Sequence, residues 1–158
     1  MRIGLGYDAH AFAANRRLVI GGVEIEHDVG LLGHSDADVL AHALADAVLG
    51  ALREGDIGRL FPDTDPAFRD ADSMELLAAV GRLARERGWR VVDADCVLVL
   101  ERPRISPHRD AMRANLARAL GVDVDAVGVK ATTTEGLGFE GRGEGAAAQA
   151  VVLLDRIE

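Results

Sequence analysis

Cysteine occurs once in the 158 residues, aromatics make up only 4%, and the single lysine is Lys130. One thiol, Cys96, excludes an intramolecular disulfide. Its apolar setting marks it as a small core residue, and a reducing compartment is the simple inference. So few aromatics argue against a stacking platform for single-stranded nucleic acid and leave the core to aliphatic side chains and alanine. Positive charge is also scarce: the formal net charge is -8, which argues against nucleic acid or an anionic membrane as partner. No apolar run approaches the roughly 20 residues of a membrane span. The chain opens directly on strand-like sequence, with no signal or transit segment ahead of it. A cytoplasmic protein is the expectation. An anionic substrate stays compatible with this charge, because a bound metal reverses the local sign.

What is present is globular: 49% hydrophobic and 28% charged residues, in a length that suits one domain over 1–158. The pattern predicts a strand over 2–12 and a hairpin over 16–26 around Gly21-Gly22. Val39, Leu40, Ala43, Leu44, Ala47 and Val48 have helical spacing, with Ser35 as the expected N-cap. Residues 56–66 read as a turn-rich loop with room for one helical turn before Pro62. Asp72 and Glu75 suggest a capping box for a helix over 73–87, ended by Gly88. A long strand over 89–101 follows. Ser106-Pro107 reads as the cap and first position of a third helix, which runs to about Leu120. Strands over 126–134 and 146–157, joined by a glycine-rich loop, complete the chain. The order β, ββ, α, α, β, α, β, β predicts an α/β (α+β) sandwich: a mixed sheet of four to five strands, helices on one face, and a small N-terminal hairpin.

Three groups of residues carry chemistry. Asp8 and His10 in "GYDAHAF" sit two apart on a strand, so both leave the same face. Asp38, His42 and Asp46 fall at i, i+4 and i+8 and share a helix face. That stripe reads either as a solvated face or, around His42, as a metal ligand flanked by acids. Asp8, His10 and His42 together are the ligand types of a catalytic zinc site with one open position, although a D-x-H pair also arises by chance. His34 and Ser35 in "GHSD" are placed at a helix N-terminus, either as a plain cap or as a phosphate contact.

"TTTEGLGFEGRGEG" matches G-x-G-x-x-G through Gly136, Gly138 and Gly141. A strand, not a helix, is expected after it, which rules out a dinucleotide fingerprint. Thr132, Thr133 and Thr134 can donate to phosphate oxygens, and Glu135 could hold a hard cation. A ligand-free turn accounts for the same residues equally well.

"GYDAHAF", "GLLGHSDADVLAHALADAVLGA", "GDIGRLFPDTDP" and "VKATTTEGLGFEGRGEG", in this order and spacing, resemble the 2-C-methyl-D-erythritol 2,4-cyclodiphosphate synthase family of the non-mevalonate isoprenoid pathway. The resemblance covers essentially the whole chain. It implies a zinc-type cation on Asp8, His10 and His42 (zinc first, manganese or cobalt as alternatives), with Asp8 and His10 also touching substrate. It implies phosphate contacts from His34 and Ser35. Asp56, Ile57, Gly58, Phe61, Pro62, Asp63, Thr64 and Asp65 would meet the methylerythritol phosphate. Leu100, Glu101, Arg102, Pro103, Arg104, Ile105 and Ser106 would line a cytidine pocket. Thr132, Thr133, Thr134 and Glu135 would meet ribose and diphosphate, Glu135 holding a second magnesium or manganese ion. Phe139 and Arg142 would lie near substrate.

His34 and Thr133 are the implied transition-state stabilisers. The implied assembly is a homotrimer with active sites between subunits, and members of the family can hold an isoprenoid in a central cavity. Tyr7 and Arg104 depart from the Phe and Lys common in relatives; Arg keeps the charge but changes the donor geometry. The implied reaction converts 4-diphosphocytidyl-2-C-methyl-D-erythritol 2-phosphate to the cyclic diphosphate with release of CMP. Its nucleophile is already an anion, which suits a sequence with no Ser-His-Asp or Cys-His arrangement. A metal-dependent phosphohydrolase on the same ligands, or a non-catalytic trimer binding isoprenoid diphosphates, are the rival readings.

Overall fold

A computed structural model describes residues 1–158. Strand β1 (Arg2–Ala13) pairs antiparallel with β7 (Gly145–Arg156), and β7 pairs antiparallel with β5 (Trp89–Val99). β5 pairs in parallel with β6 (Val127–Thr132), the return crossing over helix α4 (Arg109–Leu120). The two-residue β4 (Gly30–Leu31) joins the outer edge of β1, which gives the order β4-β1-β7-β5-β6. β2 (Leu18–Ile20) and β3 (Val23–Ile25) form the separate hairpin expected around Gly21-Gly22. Both turn glycines take positive φ, +57° and +70°, as a tight two-residue hairpin requires.

Helices α1 (Val39–Leu52), α3 (Ser73–Glu86) and α4 bury their apolar residues against one sheet face. The core there is aliphatic and alanine-rich, with Leu40, Leu44, Leu77, Leu98, Leu116 and Leu154 fully buried. Cys96 lies within it, and burial pushes its thiol up to about 12, so it is an inert core residue. The opposite face is bare yet apolar: Ile3, Leu5 and Tyr7 of β1 are 65%, 68% and 52% exposed.

Two glycines decide how α1 meets β1. A Cβ on Gly4 would stand 1.8 Å from the Ala47 carbonyl oxygen, and one on Gly6 1.9 Å from that of Ala43. The helix backbone therefore lies directly on the strand. Four helical residues rise about 6 Å and two strand residues about 6.7 Å, so the two chains run antiparallel in near register. Continuing that register brings the start of α1 over Asp8 and His10.

Several local expectations need correction. The N-cap of α1 is Asp38, whose carboxylate accepts from the Ala41 N–H; helix geometry starts at Val39, so Ser35 and His34 lie in the preceding loop. Asp72 does cap α3, accepting from the Met74 N–H, but Glu75 makes no return bond. Ser106 and Pro107 open a 3-10 turn over Ser106–His108, not the α-helix, and no side chain caps it. The loop over 56–66 holds the one helical turn expected before Pro62, α2 (Ile57–Leu60), whereas the glycine-rich loop contains a turn that was not expected, α5 (Gly138–Gly141).

Candidate metal and phosphate site

β1 supplies Asp8 and His10, and α1 supplies His42. Asp8 Oδ2 lies 2.8 Å from His10 Nε2 and 3.2 Å from His42 Nδ1, and the two ring nitrogens are 3.3 Å apart. The three ligand atoms fall within 4.8 Å of one another. His10 Nδ1 is 2.8 Å from the Leu32 carbonyl oxygen, which can only accept, so that nitrogen carries a proton. Its Nε2 lone pair therefore faces Asp8 and His42 whenever His10 is neutral. Bare lone pairs converging at this range repel unless a cation sits among them. The donor set of two imidazoles and one carboxylate fits a zinc-type ion with an open position.

The electrostatics agree. Burial works against an ionised Asp8, yet His10 and His42, where they carry the protons that face it, prevail and hold it below its ordinary value. Burial likewise works against a charged His10, but its bond to Asp8 and that carboxylate's charge raise it. A proton and a divalent cation thus compete for one spot.

The helix stripe is not a solvated face. Asp38 is wholly buried and takes N–H bonds from Gly21 and Gly22, both at 2.8 Å, as well as from Ala41. Burial pushes its carboxyl up to about 6 against those three donors. It fastens the hairpin to α1. Asp46 accepts from the Ile57 N–H at 2.7 Å and so fixes the start of α2. Burial, then the charges of Asp56 and Asp8, raise Asp46 against that bond. Only His42 faces the cluster.

A cavity of about 400 Å³ opens beside the three ligands, lined by Gly33, His34, Ser35, Ile57, Gly58, Phe61 and Asp63 among others. His34 Nε2 donates to the Asp65 carbonyl at 3.1 Å. Ser35 is buried, and its oxygen accepts from the Ala37 N–H. Asp56 caps α2 through the Arg59 N–H, while Pro62, Thr64 and Asp65 lie outside the lining.

A second cavity of about 580 Å³ is lined by Leu100 through Ser106, Arg109, Val129 through Ala131, Thr132 and Thr133. Arg109 belongs to none of the four motifs, and Val129 through Ala131 open the "VKATTT" stretch but carry no implied contact. Glu101 organises its rim, accepting from the N–H groups of Thr134 and Gly136, both at 3.2 Å. The three threonines differ. Thr134 donates its hydroxyl to the Leu137 carbonyl and Thr132 to that of Thr133. Thr133 accepts from the Glu135 N–H, which leaves its O–H without a partner inside the chain. Glu135 is exposed at φ +53° and belongs to no metal-type cluster. Phe139 lines a small pocket with Ala9, His10 and Ala11. Arg142 is exposed and pairs with Glu144 at 2.7 Å.

Fold and site together define a class: a small α+β protein whose Asp-His-His cluster, able to hold a cation, stands beside a cavity of about 400 Å³ with polar and apolar walls. The YgbB family model matches residues 1–155. A 2-C-methyl-D-erythritol 2,4-cyclodiphosphate synthase of Geobacillus kaustophilus is 61% identical over 155 residues, 98% of each chain. One from Geotalea uraniireducens is 58% identical over 99% of each. Among solved structures, a CDP-bound 2C-methyl-D-erythritol-2,4-cyclodiphosphate synthase aligns at TM-score 0.89 and 44% identity, covering 98% of this chain and all of the other. A bifunctional IspDF from Campylobacter jejuni aligns at 0.95 and 45%, this chain covering 42% of it. The chain belongs to the YgbB family, whose matched members here are named cyclodiphosphate synthases.

Proposed function

We infer that the chain carries out this family's reaction: closure of 4-diphosphocytidyl-2-C-methyl-D-erythritol 2-phosphate to 2-C-methyl-D-erythritol 2,4-cyclodiphosphate, with loss of CMP. The observation that carries the reading is the convergence of Asp8, His10 and His42 beside the His34–Ser35 loop. In the reaction the substrate's 2-phosphate oxygen bonds to the β-phosphorus, and the bond from that phosphorus to the CMP oxygen breaks. No general base is required. The task is to hold two anions in line and neutralise their charge.

Asp8, His10 and His42 would hold a zinc-type cation, which supplies Lewis-acid polarisation of a phosphate oxygen. Ser35 keeps a hydroxyl proton to donate to phosphate. His34, held at the cavity wall by its Nε2–H bond to the Asp65 carbonyl, meets the phosphate there as a transition-state stabiliser. Thr133 would donate its unengaged O–H, and Glu135 would hold a second magnesium or manganese ion brought with the substrate's diphosphate. Asp56 through Gly58 and Phe61 through Asp65 receive the methylerythritol phosphate, and Leu100 through Ser106 the cytidine. Phe139 and Arg142 lie near the substrate's periphery.

Two features favour sharing this site between chains. β1 and β6 are three strand spacings apart, about 14 Å, and the two cavities share no lining residue. A homotrimer would set one subunit's Leu100–Thr133 cleft against the next subunit's cation cluster. The bare apolar face of β1 supports such an assembly, with Tyr7 directed toward a central cavity suited to an isoprenoid.

The test is phosphorus NMR on protein, substrate and a divalent cation. Cyclic diphosphate and CMP should form in equal amounts, with no oxygen-18 taken from labelled water. Linear products carrying solvent oxygen would make the protein a phosphohydrolase instead, and tight isoprenoid-diphosphate binding without turnover would make it a binding module.

A further inference from the structure

Behind His42, away from Asp8 and His10, lies a polar chain that no motif disclosed. His42 Nε2 is 2.8 Å from Ser73 Oγ and 3.1 Å from Ser35 Oγ. Ser73 is buried at the first position of α3, and its hydroxyl donates to Asp36 Oδ1. Asp36 is itself fixed. Its Oδ2 accepts the Ser73 N–H at 3.1 Å, its Oδ1 the Asp38 N–H at 3.1 Å, and its own N–H donates to the Ala71 carbonyl.

Proton counting decides the direction of this chain. A serine has one O–H. If Ser73 turned it toward His42, an acceptor oxygen of Ser73 would be pressed against an acceptor oxygen of Asp36. With the hydroxyl held by Asp36, Ser73 Oγ can only accept from His42. His42 Nε2 then carries the proton, and Nδ1 presents its lone pair to Asp8 and His10. The opposite tautomer is not without support, because Nδ1–H could donate to Asp8 Oδ2; that contact, at 3.2 Å, is longer than the 2.8 Å bond to Ser73. Ser35 Oγ already accepts from the Ala37 N–H and can accept from Nε2–H as well, which strengthens the same choice.

We infer that Ser73 and Asp36 are positioning residues, which fix the tautomer and orientation of His42 and so present Nδ1 as a ready-made cation ligand. This rests on the reading of Asp8, His10 and His42 as a cation site. Partners behind a ligating histidine are worth about 10- to 100-fold in metal affinity. The device also joins two helices: α3 must be docked before α1's histidine is set for binding.

The experiment uses the full-length, metal-free protein labelled with nitrogen-15 on histidine, at alkaline pH where the imidazoles are neutral. Wild type should show His42 protonated at Nε2. Ser73→Ala should shift His42 toward the Nδ1–H form and weaken zinc binding tens-fold, measured by competition with a chromophoric chelator. Ser73→Thr, which restores the hydroxyl, should recover both. A wild-type His42 protonated at Nδ1 overturns the proposal without any variant, so it stays testable even if Ser73→Ala does not fold. A folded Ser73→Ala protein with unchanged tautomer and zinc affinity overturns it too. A wild type that binds no zinc through Asp8, His10 and His42 overturns the cation-site reading itself. That failure is distinguishable, because the tautomer is read without metal.

Discussion

The two cavities are built on different principles. The first stands on a helix laid against a strand. Gly4 and Gly6 let the α1 backbone touch β1, and the contact sets His42 over Asp8 and His10 to within a few tenths of an ångström. No buried side-chain nitrogen or oxygen there lacks a partner inside the chain, and Asp38, Asp46 and Asp36 each fasten a neighbouring segment. The second stands on loops at the end of β5 and β6, and one carboxylate, Glu101, holds its rim. The difference suits the tasks. A cation, proposed for the first, needs ligand geometry fixed in advance, whereas a nucleotide, proposed for the second, can be gripped by a looser rim.

The contrast breaks most visibly at the cluster. His42→Ala should remove a ligand without disturbing the fold. Activity should fall about 10³-fold or more, as the loss of several kcal/mol of Lewis-acid stabilisation requires, and bound zinc should disappear from elemental analysis. Full activity in a metal-free His42→Ala protein would refute the ligand assignment.

Gly6→Ala probes the scaffold instead. Its Cβ would overlap the Ala43 carbonyl oxygen, and the strand and helix must part. Denaturant unfolding should show a loss of about 3 kcal/mol or more, with zinc affinity falling alongside. An unchanged midpoint would mean that the close approach is not what seats His42.

At the loop cavity the two neighbouring threonines should separate. Thr133→Ala removes the unengaged hydroxyl and should lower kcat about 10²-fold while leaving stability alone. Thr134→Ala removes an internal bond and should cost about 1 kcal/mol of stability with a smaller effect on turnover. Equal effects from the two would erase the distinction drawn from their hydrogen bonds.

The smallest effect is the response to pH. His10 is raised in the folded protein and Asp8 lowered. In metal-free protein, the His10 contribution to stability is complete below its unfolded value, near 6.5. It is lost as pH rises through the higher folded value. The Asp8 contribution is present above its unfolded value and fades as pH falls through the lowered folded one. Zinc uptake runs opposite to the His10 term, because Nε2 must shed its proton to coordinate, so affinity should rise with pH up to the raised folded value of His10 and level off above it. Calorimetric titrations at several pH values should show proton release that shrinks as pH increases; pH-independent binding would exclude His10 as a ligand.

Much of this was legible in the sequence. A period of two put Asp8 and His10 on one face, and a period near four set His42 on a largely buried helix. The four motifs pointed to the family to which the full-length comparisons assign the chain. The stripe of Asp38, His42 and Asp46 reads in sequence as a solvated face or as a ligand flanked by acids, but each residue does something different, because burial and the neighbour across the gap decide a carboxylate's task. Gly4 and Gly6 precede Asp8 with the same parity, a signal of close backbone approach in plain view. Ser73 and Asp36 gave no signal at all, being joined across 37 residues by the docking of α3 on the loop before α1.

The sequence by itself determined the elements, the residue types able to hold a cation, and which side chains share a face, because these depend on local periodicity and side-chain chemistry. Tertiary structure alone decided which lone pairs meet, which hydroxyls stay unengaged, and which carboxylates are buried. A hydrogen bond or a metal ligand depends on tenths of an ångström between segments far apart in the chain, and only packed backbones fix distances to that scale.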